Sequence, residues 1–236
     1  MLSLKKRIKQ IFAPVLRLRD CLQTLKGDYL YPLKHSHYGS FGKGAIVQVP
    51  CSVCNPKLIH IGERAIIRRG LSFDGTEAQF VFKKYSISGR NLSVVTGNHT
   101  KTVGLPISLV ATWHINEASC DVVVEEDVWI GTNCTLLPGA HIGRGSIIGA
   151  NSLVNKEIPP YAVAVGSPSR IIRTSLSIEQ ILRHESILYP PDERYSKAEL
   201  ESLFAEYYSD KKGAGADNLS NEDIHKYLDK FSNIFS

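Results

Sequence analysis

His99, in Thr96-Gly97-Asn98-His99-Thr100, and His114, just after Trp113, are side chains well suited to moving a proton. A neutral imidazole accepts a proton at pH 7 and returns it readily, so either could act as a general base. An imidazole in that role needs a partner on its second nitrogen, and Glu117, Asp121, Glu125, Glu126 or a main-chain carbonyl could supply it. Cys51 and Cys54 form one Cys-x-x-Cys, a weak zinc signal without a second such pair; corner and core packing explains both. A three-histidine zinc centre would have to draw on His60, His99, His114 and His141, none of which is closely paired with another.

Both loop histidines sit where a rhythm fails. Val124, Ile130, Leu136, Ile142, Ile148 and Val154 recur every six residues. Six is three strand periods, so one side chain per hexad points to a common interior, a phase that a helix of period 3.6 cannot hold. Val128, Cys134, Ala140, Ser146 and Ser152, mostly small, form a second inward column, and Asp127, Asn133, Gly139, Gly145 and Asn151 supply turn residues. Three hexads per triangular coil predict a stacked parallel β-solenoid. Phe41, Val47 and Val53, and after a slip Ile61, Ile67 and Phe73, extend it back to about residue 41. The rhythm is absent from Gly97 to Asp121, longer than a passive connection usually runs, and the chemistry is expected there.

The chain has 236 residues, a formal net charge of +5 and five cysteines, an odd number that argues against a disulfide framework. It shows no apolar run long enough to span a membrane and no secretory signal pattern, which predicts a cytoplasmic protein. Residues 1–20 mix Leu4, Ile8, Ile11, Phe12, Val15 and Leu16 with Lys5, Lys6, Arg7, Lys9, Arg17 and Arg19, an amphipathic helix that caps the solenoid or touches a membrane surface. Ser177-Ile-Glu-Gln and Ser196-Lys-Ala-Glu are capping boxes that open two C-terminal helices, and a third is expected over 221–235. The divisions expected are 1–40, a solenoid over 41–175 with an extruded loop at 97–121, and a helical extension over 176–236.

Val128-Trp-Ile-Gly131, Leu137-Pro-Gly-Ala140, Ile148-Gly-Ala-Asn-Ser-Leu-Val154 and Val165-Gly-Ser-Pro-Ser-Arg-Ile-Ile-Arg173 resemble the hexapeptide-repeat acyltransferases, in particular the maltose and galactoside O-acetyltransferases and those that decorate surface polysaccharides. The resemblance implies an all-β core, a left-handed parallel β-helix with N-terminal and C-terminal α-helical extensions, and a homotrimer with active sites between neighbouring prisms. It implies acetyl-CoA as cosubstrate, a sugar or glycan hydroxyl as acceptor, no metal and no nucleic acid. Thr96-Gly97-Asn98-His99 matches the motif of the family's catalytic histidine, with His114 as the alternative base. By the same resemblance Trp129 lies near the thioester, Thr132 and Ala150 along the pantetheine, Asn155 and Lys156 along the diphosphate, and Arg170 and Arg173 at the ribose phosphate. A backbone N–H at Gly131 or Thr132 would receive the oxyanion.

The acceptor pocket falls at 68–90, where this sequence departs from the sugar-transferase pattern. Transfer to an amine of an aminosugar or antibiotic is therefore the alternative within the class. A noncatalytic scaffold and a γ-type carbonic anhydrase-like metalloprotein are the alternatives outside it.

Overall fold

A computed structural model of the chain describes residues 33–209 and 212–234, together with Ala13 to Val15, Leu18, Arg19, Cys21, Leu22 and Leu25. Those last eight positions are helical; the rest of the amphipathic segment expected over 1–20 lies outside the described residues, and so does the membrane contact expected of it.

Short strands stack in three faces of a solenoid of about six coils. The first face holds β1 (Ser40–Phe41), β4 (Ile59–Ile61), β7 (Phe80–Phe82), β10 (Val122–Val124), β13 (His141–Ile142) and β16 (Glu157–Ile158). The second holds β2 (Ile46–Val47), β5 (Ile66–Ile67), β8 (Ile87–Ser88), β11 (Trp129–Ile130), β14 (Ile147–Ile148) and β17 (Ala162–Val165), closed by β18 (Arg170–Thr174), which runs antiparallel to β17. The third holds β3 (Cys51–Val53), β6 (Leu71–Asp74), β9 (Ser93–Val95), β12 (Thr135–Leu136) and β15 (Leu153–Val154).

The hexad columns become the core directly. Val124 pairs with Ile142, Ile130 with Ile148 and Leu136 with Val154, so three hexads make one coil. All six of these side chains are buried. The next hexad position would be Pro160, which cannot donate to the ladder; instead Ile158 pairs with Ile142, and the last coil is two residues shorter. The earlier coils are longer, Ile61 pairing with Phe82 and Ile67 with Ser88, and they fill the wider interior with Phe73, Phe80 and Phe82.

The small second column has a polar reason as well as a steric one. Ser86 Oγ donates to the Glu125 carbonyl (2.6 Å) and accepts from Val128 N (3.0 Å); Ser146 does the same with Pro159 O and Ala162 N. These fully buried hydroxyls satisfy backbone groups at the corners that the strand ladders leave open.

Three helices follow the solenoid: α2 (Ile178–Leu188), α3 (Lys197–Tyr207) and α4 (Asn221–Ile234), α1 being a short helix (Ile107–Thr112) in the extruded loop. Ser177 and Ser196 form the expected capping boxes at α2 and α3. The segment at α2 is clamped to the solenoid by Arg144, whose guanidinium meets Glu126 (3.4 Å), the buried Glu185 of α2 (3.2 Å) and the Glu193 carbonyl (2.6 Å). Glu185 also accepts from Tyr161 OH (2.7 Å) and Tyr195 N (2.6 Å), so its buried carboxylate is fully engaged.

Candidate active site

The break in the rhythm is an excursion between β9 and β10 that leaves the third face and returns to the first. Its two arms pair: Asn98 and Ala118 exchange backbone hydrogen bonds (3.0 and 2.9 Å), Cys120 N donates to Thr96 O (2.9 Å), and His99 lies opposite Glu117 as an antiparallel bridge partner. That pairing sets the side chains. His99 Nδ1 is 3.0 Å from Glu117 Oε1, and His114 Nδ1 is 2.7 Å from the same oxygen. Thr76, from the turn after β6, donates to Glu117 Oε2 at 3.4 Å.

Of the carboxylates available to orient an imidazole, the structure pairs Glu117 with both loop histidines. Asp121 accepts from Gln79 N, Glu125 meets Lys83 and His141, and Glu126 meets Arg144. Only a tenth of the Glu117 side chain is exposed. The His114 hydrogen bond, more than any other contact, holds its carboxyl below the usual carboxylate range, against the opposing pull of partial burial. A carboxylate only accepts, so His114 Nδ1, hydrogen-bonded to it, carries a proton, while His99 Nδ1 lies beside the same oxygen as an ion-pair contact. Asp74, Gly75, Val95, Gly97 and Ala111 complete a cavity of about 140 Å³ around the three side chains.

A second cavity, of about 270 Å³, holds two of the other predicted residues. Trp129 and Thr132 line it with Arg68, Ile87, Ser88, Gly89 and Arg90, at the corner between the second and third faces. Trp129 stands outward from β11 and is 55% exposed. The Gly131 N–H donates to Ile148 O (2.7 Å) within the ladder, so it is not available to an oxyanion; the Thr132 N–H has no partner among the described residues. A Cβ on Gly131 would come within 2.5 Å of Ala150 N, so the two corners pack backbone on backbone. Asn155, Lys156, Arg170 and Arg173 are exposed toward the C-terminal end of the solenoid, and none of these three cations has a side-chain partner among the described residues.

The two cavities share no residue, and they lie at opposite ends of β9. From Arg90 to Gly97 is roughly 20 Å of extended chain. One copy therefore does not bring His99 to Trp129 and Thr132. Glu117 in its bridging role and Arg68 and Arg90 beside Trp129 are what sequence reasoning did not single out. Among the described residues no group of three histidine, cysteine or carboxylate side chains is arranged to hold a metal ion.

Residues 121–156 match the family model for bacterial transferase hexapeptide (six repeats). The chain is 28% identical over 167 residues to the galactoside O-acetyltransferase of Escherichia coli (strain K12), covering 64% of this chain and 78% of that one. A shorter stretch of 61 residues is 43% identical to a chloramphenicol acetyltransferase of Escherichia coli, covering 26% of this chain and 29% of that one. Among solved structures, the hexapeptide-repeat acetyltransferase of Vibrio cholerae O1 biovar eltor complexed with acetyl coenzyme A superposes with a TM-score of 0.57 at 25% identity, covering 70% of this chain and 89% of that one. The coils, the repeat over residues 121–156 and these relatives agree in their likeness to the hexapeptide-repeat acyltransferases.

Proposed function

We propose that the chain is an acetyl-CoA-dependent O-acetyltransferase that acylates a hydroxyl of a sugar or surface-glycan precursor in the cytoplasm, working as a homotrimer. The observation that carries this reading is the Glu117 carboxylate 3.0 Å from His99 Nδ1, which places the imidazole with its Nε2 as the candidate base beside a cavity of about 140 Å³. The galactoside O-acetyltransferase relative supports a sugar hydroxyl as acceptor, and the Vibrio cholerae relative supports acetyl-CoA as donor.

A sugar hydroxyl attacks a thioester carbonyl quickly only if its proton leaves as the bond forms. His99 Nε2 takes that proton while the hydroxyl oxygen bonds to the acetyl carbon. The Thr132 N–H, unpartnered among the described residues, donates to the oxyanion. The carbon–sulfur bond then breaks, and the imidazolium returns the proton to the departing thiolate. The products are the acetyl ester and free coenzyme A, with no covalent enzyme intermediate. Lys156, Arg170 and Arg173 would meet the phosphates of the donor.

The separation of the two cavities supports assembly. The outward column of the second face, Ile46, Ile66, Ile87, Trp129, Ile147 and Val163, is apolar through its six parallel strands and ends at Arg173 on β18. A sheet face of that kind favours burial against another copy, which would lay one subunit's His99 against its neighbour's Trp129 and Thr132.

Thiol release from acetyl-CoA against a panel of sugars, aminosugars and antibiotics tests the reading. Turnover with sugars lacking an amine is expected; release only with amines would move the chain to N-acylation, and no release with any acceptor would leave a scaffold. Chloramphenicol belongs in the panel because of the 61-residue match.

A further inference from the structure

The corner between the second and third faces is built from residues in strict vertical register. Ile67 pairs with Ser88, Ser88 with Ile130 and Ile130 with Ile148. Two residues on in each coil, Arg69, Arg90, Thr132 and Ala150 therefore form one column. Hydrogen bonds hold it: the carbonyls of Arg69, Arg90 and Thr132 accept from Asn91 N, Asn133 N and Asn151 N at 3.0, 2.8 and 2.9 Å. Asn91 and Asn133 take positive φ at the corner and are linked side chain to side chain (2.9 Å). Arg68 flanks the column one residue before it and lines the Trp129 cavity together with Arg90.

Arg68, Arg69 and Arg90 are exposed, and no carboxylate pairs with any of them among the described residues. Neighbouring coils lie about 4.8 Å apart, so Arg69 and Arg90 are stacked like charges, a net cost in the absence of an anion. Lys83 and Arg144, by contrast, each meet a carboxylate on a neighbouring coil, Glu125 and Glu126 respectively. The uncharged steps of the column, Thr132 and Ala150, lie between this positive end and the end of the solenoid where β18 carries Arg170 and Arg173. The cavity thus has cations at one end, Arg68 and Arg90, and an uncharged end at Trp129 and Thr132.

We propose that Arg68, Arg69 and Arg90 form an anion subsite for the acceptor, and that the acceptor is an acidic sugar, one bearing a carboxylate or a phosphate. This rests on the transferase reading above, which assigns the opposite cation cluster to the donor. Planar guanidiniums on adjacent coils suit the two or three oxygens of such a group and leave the sugar hydroxyls beside Trp129 and the incoming His99.

The test is calorimetric binding of galactose, galacturonate, galactose 1-phosphate and acetyl-CoA to the intact protein and to R68Q/R90Q, with thiol release measured in parallel. Both acidic sugars, or one of them, should bind at least ~10-fold more tightly than galactose, a preference that identifies carboxylate or phosphate and that collapses in R68Q/R90Q; acetyl-CoA should bind both proteins alike. R69Q alone is a second variant in the event that the double one fails to fold. Equal binding of galactose and the acidic sugars overturns the proposal, as does a loss of acetyl-CoA affinity in R68Q/R90Q, which would assign these arginines to the donor. Thiol release with neutral sugars and no acid preference would overturn this subsite while leaving the transferase reading standing; acid preference without binding or cleavage of acetyl-CoA would overturn the transferase reading, and the acceptor role with it.

Discussion

His99 and Glu117 are bridge partners across the two arms of the extruded loop, and their side chains meet Nδ1 to Oε1 at 3.0 Å. Backbone pairing and side-chain pairing thus coincide at one point, so the orientation of the imidazole is tied to the fold of the loop. Replacing Glu117 by Ala should release both His99 and His114. The expected result is a fall in kcat on the order of 10- to 100-fold with the KM for acetyl-CoA unchanged, read from steady-state thiol release. An equal rise in KM would place Glu117 in substrate binding instead.

Acid should loosen the same loop through one group. The Glu117 carboxyl is held below its usual range, so its contribution is present above the unfolded carboxyl pKa of about 4.3 and is lost as pH falls through the lower folded value. The His114 hydrogen bond and the His99 contact both end on the Glu117 carboxylate, so both weaken when that group takes a proton. Hydrogen exchange at the Asn98 and Ala118 amides should accelerate, relative to the coils, below about pH 4. In Glu117→Gln that acid-dependent step should be absent.

The clamp at Arg144 predicts a stability effect away from the chemistry. Arg144→Ala would leave the Glu185 carboxylate buried without its cation, although Tyr161 and Tyr195 still donate to it. A loss of roughly 3 kcal/mol in denaturant unfolding is expected, with α2 released first. Arg144→Lys, which keeps the charge but not the fork, should lose less.

The apolar second face predicts an assembly effect. Ile66 stands outward on β5 in the same column as Ile87 and Trp129, so Ile66→Glu should leave the coil intact and disrupt association. Light scattering should show a trimer become a monomer, with activity lost in parallel. A trimer that persists, or an active monomer, would contradict an active site shared between copies.

The coils were legible because each hexad carries its own evidence: the aliphatic column from Val124 to Val154 is visible residue by residue, and the ladder confirms it at Val124 with Ile142. The partner of His99 was not legible. Glu117 reaches it through antiparallel pairing in a loop without periodicity, and Asp121, Glu125 and Glu126 were equal candidates until the pairing assigned them elsewhere. The stacking of Arg69 on Arg90 was hidden for a related reason. The early coils depart from eighteen residues, so the hexad phase does not say which positions lie above one another until Ile67 is seen to pair with Ser88. Pro160 shows the converse, a strict rhythm broken because the next residue in phase has no N–H to give.

The most direct test of the account is kcat for acetyl transfer in His99→Ala and His114→Ala, with acetyl-CoA affinity measured on both. His99→Ala should lose on the order of 10²- to 10⁴-fold in kcat with acetyl-CoA bound as before, and His114→Ala should lose much less. Unchanged turnover in His99→Ala, or the larger loss in His114→Ala, would contradict the assignment of His99 as the base.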